Sequence, residues 1–134
     1  MERVAVIIVD YHAGDLLQAC LAGVSRQTRP PERVIVVDNG GAEAALCGFQ
    51  SAHGVELVRP GHNTGFAQGN NLALAQVADC DWVALLNPDA VPDPDWLEQL
   101  LAAARRYPET AAFGSRMYSD PERMRLDGSG DVLH

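Results

Sequence analysis

Val4-Ala5-Val6-Ile7-Ile8-Val9 is an unbroken apolar run, mostly β-branched, and it restricts the fold more than any other stretch of the chain. A strand with one face in water alternates apolar and polar side chains. A strand that is apolar at every position is buried on both faces, the pattern of parallel sheets. The pattern returns in Val34-Ile35-Val36-Val37 and in Trp82-Val83-Ala84-Leu85-Leu86, with a shorter run at Gly54–Val58. Helical segments fill the gaps. Leu16, Leu17, Cys20, Leu21 and Val24 share one face of a helix that starts near Gly14-Asp15. Ala42–Gln50 reads as a short helix, and Phe66–Ala75 as an Ala-rich one with Asn63 or Thr64 near its cap. Pro94 opens another, with acids in its first turn, Arg105 and Arg106 in its last, and Pro108 as its stop. This alternation predicts an α/β fold: a doubly wound, mainly parallel sheet with helices on both faces. A fifth strand is expected over Ala111–Met117, with irregular chain from Tyr118 to His134.

The apolar runs end abruptly in polar clusters: Asp10-Tyr11-His12, Asp38-Asn39-Gly40-Gly41 and Asn87-Pro88-Asp89. Proline lacks a ladder donor and drives the residue before it out of the helical region, so Asn87-Pro88 marks where a buried strand stops. Right-handed crossovers put the carboxyl ends of parallel strands on one rim, where open α/β sheets bind ligands. Asp89 stands just past such an end, although the same residues suit a plain β-turn. A rim with three carboxylates and few cations binds an anion poorly, which is an electrostatic reason to expect a divalent cation there.

The 134 residues make one domain with room for a real core, and 47% hydrophobic residues suit an ordinary globular chain. Net charge is -8, which argues against nucleic acid as partner. All ten basic residues are Arg. The absence of Lys removes a phosphate-binding loop of the Gly-Lys-Ser/Thr type and any Schiff-base chemistry. Cys20, Cys47 and Cys80 have neither zinc-ligand nor redox spacing and read as residues of a reduced protein. With no signal peptide and no membrane-length apolar run, a cytoplasmic location is expected, with peripheral attachment to the cytosolic face of a membrane left open.

Four stretches taken together resemble the amino-terminal half of a family 2 (GT-A fold) glycosyltransferase. They are Val4–Val9 with Asp10-Tyr11, Val36-Val37-Asp38-Asn39-Gly40, Asn63-Thr64-Gly65-Phe66-Ala67-Gln68-Gly69-Asn70-Asn71, and Leu85-Leu86-Asn87-Pro88-Asp89-Ala90. The last fills the place of the family's Asp-x-Asp motif in its rhamnosyltransferase-like branch. Each motif alone is weak; their order and intervals carry the resemblance, which covers nearly the whole chain.

The resemblance implies a nucleotide-diphospho-sugar-transferase-like domain over residues 1–134, the amino-terminal part of a longer transferase domain. Its donor would be a nucleotide-sugar (a UDP- or dTDP-sugar), its acceptor a glycan or lipid-linked molecule, and its setting polysaccharide or cell-wall synthesis. Asp38 then contacts base or ribose, and Asp10 and Tyr11 lie where the family often meets the base. Asn63, Gly65 and Asn71 belong to the loop and helix under the nucleotide, with a helix amino terminus to favour its negative charge. Asn87 lies near the ribose or metal, and Asp89 holds Mg2+ or Mn2+ on the diphosphate. The implied chemistry is an inverting displacement at the anomeric carbon.

Family members run to about twice this length, and they take their catalytic base from a segment beyond this region. The chain is therefore expected to be a truncated, donor-binding piece that transfers nothing alone and carries no catalytic residue. Asn70 departs from the Arg that many relatives have facing the base. A nucleotidyltransferase would need a Gly-rich loop with Arg and Lys after the first strand, and a dinucleotide-binding oxidoreductase a Gly-x-Gly-x-x-Gly; Gly14 stands alone. The alternative that remains is a non-catalytic nucleotide-binding or interaction module derived from the same fold.

Overall fold

The computed structural model describes residues 2–49, 54–118 and the short strand at 126–128. Two compact units divide the chain, Met1–Leu97 and Glu98–His134. The first holds a four-stranded parallel sheet of order β3-β2-β1-β4. Its strands are β1 (Val4–Asp10), β2 (Arg33–Asp38), β3 (Glu56–Val58) and β4 (Trp82–Leu85). Between them lie α1 (Asp15–Ser25), α2 (Ala42–Leu46) and α3 (Gly65–Leu74).

Strand order settles which face each helix covers. The chain steps from β1 to β2 to β3 in one direction, then returns past β1 to β4. Right-handed crossovers therefore put α1 and α2 on one face and α3 on the other. Packing agrees. Ala5, Ile7, Ile35 and Val37 form a buried cluster with Ala73 of α3 and Val77 just beyond it, while the Gln18 side chain of α1 donates to the Ala45 carbonyl of α2 at 2.6 Å. Leu17, Cys20, Leu21 and Val24 are the buried face of α1. Each fully buried Ile or Leu in these layers contributes roughly 1.5–3 kcal/mol.

Arg33 ties the amino-terminal end of the sheet. It makes a bidentate pair with Glu56 (2.8 and 2.5 Å), reaches Asp79 at 2.9 Å and donates to the Gln76 carbonyl. The opposite end is left for the polar rim.

The second unit contains most of α4 (Trp96–Arg106) and an antiparallel pair, β5 (Met117–Tyr118) with β6 (Leu126–Gly128). Here the sequence expectation fails. Residues 111–116 form no strand; strand structure begins at Met117, the last residue of the expected strand, and pairs antiparallel with Leu126–Gly128 in the segment expected to be irregular. A short apolar stretch lacks the β-branched continuity that made β1 and β2 legible. The helix expected from Pro94 begins at Trp96, and the helix expected to reach Gln50 stops at Leu46. Among the described residues no helix is long and apolar enough to cross a membrane.

Candidate functional site

The carboxyl ends of β1, β2 and β4 form one rim, and side-chain alternation along the strands distributes its polar groups. Ala5, Ile7, Ile35 and Val37 face α3. Counting on, Asp10 and Asp38 must face the α1–α2 side, while Asn39 turns toward α3. The hydrogen bonds follow that parity.

Asp38 accepts from the backbone amides of Gly40 (2.9 Å), Ala42 (3.0 Å) and Glu43 (3.2 Å), so its carboxylate closes the amino terminus of α2. An ionised carboxylate has about four acceptor positions. Three are filled by the chain itself, which leaves room for one further donor such as a ribose hydroxyl.

Asp10 lies directly opposite Asp38 in the register. It is fully buried, and among the described residues neither carboxylate oxygen has a hydrogen-bond partner. Burial pushes its carboxyl above the ordinary range, and the Asp38 charge adds to the shift; the neighbouring Ala13 N–H, short of a full hydrogen bond, and His12 pull partly back. Tyr11 is exposed and meets His12 edge-on, ring centroids 4.5 Å apart. His12 has a left-handed backbone, φ 52°, and its N–H donates to Gly40 O at 2.7 Å. Its ring lies on the Gly40-Gly41 backbone, where a Cβ on Gly41 would stand 2.7 Å from Nδ1. No partner spacing marked His12 in the sequence, because its partner is a glycine pair at the end of another strand.

Asn39, buried and turned to the other face, fixes the loop before α3. Its Oδ1 accepts from the Thr64 amide (3.1 Å) and hydroxyl (2.9 Å), and its Nδ2 donates to Gly65 O at 3.1 Å. Asn63 Oδ1 accepts from the Gly65 amide at 3.0 Å, and Gly65 takes φ +80°, a conformation suited to glycine. Gly69 brings α3 close to the sheet: a Cβ there would lie 2.9 Å from Val9 Cγ1. Asn70 is buried and donates back to the Phe66 carbonyl at 3.0 Å. Asn71 is exposed, roughly 9 Å along the helix from Gly65 at 1.5 Å per residue. Among the described residues no hydrogen bond links Asn71 to the rim.

On β4 the chain turns as the Asn-Pro motif requires. The Asn87 carbonyl accepts from Ala90 N at 3.1 Å, a β-turn with Pro88 and Asp89 at its centre. The same carbonyl accepts from the Cys20 thiol at 3.5 Å. The side chains of Asn87 and Asp89 are exposed, and among the described residues no hydrogen bond engages the Asp89 carboxylate. Burial pushes the Cys20 thiol up to about 12, with Asp89 and then Asp10 adding to the shift, so both carboxylates lie within electrostatic reach of that sulfur.

Of the three rim carboxylates, then, Asp38 is used by α2, while among the described residues Asp10 is buried without a hydrogen-bond partner and Asp89 has none. Among the described residues no cluster of three or more His, Cys, Asp or Glu could hold a metal ion by itself. A hard cation bound through one carboxylate and substrate phosphates needs no such cluster, and an exposed, unengaged oxygen donor suits it. Asn39, to which the sequence assigned no role beyond membership of the polar cluster at the end of β2, is the part of this site that sequence reasoning missed. So is Cys20, read as a plain core thiol.

A parallel sheet with its polar groups at the strand carboxyl ends, beside the point where strand order reverses, is the architecture in which doubly wound α/β domains bind their ligands. The family model for Glycosyl transferase family 2 matches residues 5–128, and the chain belongs to that family. It is 31% identical over 128 residues to an N-acetylglucosaminyl-diphospho-decaprenol L-rhamnosyltransferase of Mycobacterium tuberculosis, covering 87% of this chain and 41% of that one. The fold is shared with the mannosyltransferase PcManGT from Pyrobaculum calidifontis, solved with GDP-Man and Mn2+ (TM-score 0.65, 26% identity, 84% of this chain and 34% of that one). It is also shared with S. aureus TarS 1-349 in complex with UDP (TM-score 0.67, 19% identity, 78% and 32%). The chain thus spans about two fifths of the length of the curated relative it matches.

Proposed function

We propose that this chain is the donor-binding part of a glycosyltransferase that moves a sugar from a nucleotide-sugar to a glycan or lipid-linked acceptor. The observation that carries the reading is the exposed carboxylate of Asp89, unengaged among the described residues and held at the centre of the Asn87–Ala90 turn on the rim of a family 2 domain. Asp89 is the protein ligand of Mg2+ or Mn2+, the type of cation present with the donor in the mannosyltransferase structure. When bound, that cation neutralises charge on the leaving diphosphate.

The remaining roles follow from the chemistry of each group. Asp38 offers its one remaining acceptor position to a ribose hydroxyl, and Tyr11 gives an exposed ring for a base to lie against. Asn63 and Gly65 shape the start of α3, which carries no acid in its first turn and so favours a negatively charged group. Asn87 orients its exposed amide beside Asp89. UDP and dTDP are the donor nucleotides of choice, and the rhamnosyltransferase likeness favours a deoxysugar donor.

Calorimetric titration with UDP, dTDP and GDP, each with and without Mn2+, tests the reading. Metal-dependent binding of one nucleotide is expected. Asp89→Ala abolishes that metal dependence while keeping wild-type stability to within about 0.5 kcal/mol, as for other exposed positions. Affinity that survives in manganese after this change assigns the cation elsewhere. A complete lack of metal-dependent binding in the unaltered chain favours an interaction module.

A further inference from the structure

The connection from β4 to α4 is ten residues of chain, 86–95, with no helix or strand of its own. Asp89 sits near its start. Loops of this kind are the readily opened parts of a fold, yet a ligand for a hard cation must be held within a fraction of an ångström. The structure supplies a bed for it. Cys20 and Gly23 on α1, and Gln27 just past its end, follow one another at intervals of three and four residues and so fall on one side of the helix.

Each meets the loop at a different point. The Cys20 thiol reaches the Asn87 carbonyl at 3.5 Å. Gly23 lets Pro92 lie on the helix backbone, where a Cβ would stand 2.8 Å from Pro92 Cδ and 3.4 Å from Val91 Cγ1. Gln27, only 5% exposed, donates to the carbonyls of Asp93 (2.6 Å) and Gly23 (3.2 Å) and accepts from Leu97 N at 3.0 Å. Beside it, Thr28 N donates to Pro94 O at 2.7 Å. A buried amide with both faces engaged by backbone, across some seventy residues of sequence, is a costly arrangement to leave unmade.

We infer that Cys20, Gly23 and Gln27 are positioning residues that set the height of the Asp89 turn over the rim, and so tune the metal-diphosphate site without touching it. The inference rests on the role given to Asp89 above. Its elements are separate: a thiol donor under the turn, a glycine that admits the proline, and an amide that fastens the far end. Residues that orient a ligand at one remove change metal affinity by about 10–100-fold.

Manganese titrations of nucleotide binding in Gly23→Ala, Gln27→Met, Cys20→Ala and Cys20→Ser, alongside hydrogen exchange at the Ala90 amide, test it. The nucleotide is whichever of UDP, dTDP and GDP the unaltered chain binds best. Gly23→Ala and Gln27→Met should each raise the manganese concentration for half-maximal binding by about tenfold. Nucleotide binding in EDTA should stay at the wild-type level and Ala90 exchange should quicken. Cys20→Ser, which keeps a donor, should stay nearer wild type than Cys20→Ala. An unchanged manganese midpoint in both Gly23→Ala and Gln27→Met overturns the inference, whatever happens to exchange. If the unaltered chain shows no manganese dependence, the functional reading fails on that result alone. The inference is then decided by exchange: quickened Ala90 exchange in Gln27→Met supports the bed, and unchanged exchange overturns it.

Discussion

Asp10 and Asp38 stand opposite one another at the ends of β1 and β2, yet the fold uses them in contrary ways. Asp38 accepts three backbone amides at the start of α2. Asp10, one strand away, is enclosed with neither oxygen paired among the described residues. The difference decides how the rim carries charge. Asp38 has its carboxylate closed by backbone amides, Asp10 is held above the ordinary carboxyl range by burial, and among the described residues the Asp89 carboxylate is left open to a cation.

Asp10 should therefore make stability depend on pH in a particular sense. Its folded carboxyl is raised above the unfolded value, first by burial. Such a group contributes stability that is fully present below the unfolded value, about 4, and lost as pH rises through the folded one. Ionised Asp10 is then a cost at neutral pH. Asp10→Asn should raise the denaturation midpoint at pH 7, with the gain shrinking toward pH 4. Parallel pH profiles for the variant and the parent chain would show that Asp10 is not the group responsible.

Asn39→Ala removes three hydrogen bonds at once, leaving the Thr64 amide without its acceptor and the Gly65 carbonyl with the longer bond from the Thr64 hydroxyl at 3.5 Å. A loss of about 2–3 kcal/mol is expected from denaturant unfolding. Because the loop before α3 then loosens, hydrogen exchange should rise at Thr64 and Gly65 more than in β1. Uniform change across the chain would mean that Asn39 serves the core in general and not this loop.

Gly41 has φ +82°, and a Cβ there meets the His12 ring at 2.7 Å. Gly41→Ala should cost about 1–2 kcal/mol from backbone strain alone, with the His12 clash added. Pairing it with His12→Gly separates the two contributions in a double-mutant cycle. A coupling of about 0.5 kcal/mol or more, favouring the double variant, is expected. Strict additivity would mean that the ring yields freely.

The cysteines should react in a set order. Cys47 is exposed, whereas Cys20 is buried with its thiol pushed up to about 12. A maleimide at pH 8 should modify Cys47 first and leave Cys20 intact until the chain unfolds, read by peptide mapping. Fast labelling of Cys20 in the folded chain would show that α1 and the Asn87 turn separate readily.

The strands β1 and β2 were legible because a continuous β-branched run has few other homes than a sheet covered on both sides. The Asn87–Ala90 turn was legible because proline acts on its immediate neighbours. Where the signal weakens, sequence and structure part: Ala111–Met117 carries an apolar pattern but only Met117 joins a strand, and nothing local marks its pairing across to Leu126–Gly128. At Asn70, where the resemblance implies an Arg in many relatives, the amide turns back on its own helix.

The sequence by itself determined the strands of the parallel sheet, their alternation with helices and the rim on which the acids gather, since these follow from local stereochemistry and a two-residue period. The tertiary structure alone decided what each rim residue does. Asp38 binds α2, Asn39 binds the loop before α3, and Cys20 reaches a carbonyl 67 positions away. The physical reason is the range of the interaction. A burial pattern is written along the chain, whereas the partner of a buried polar group depends on which helix crosses which face.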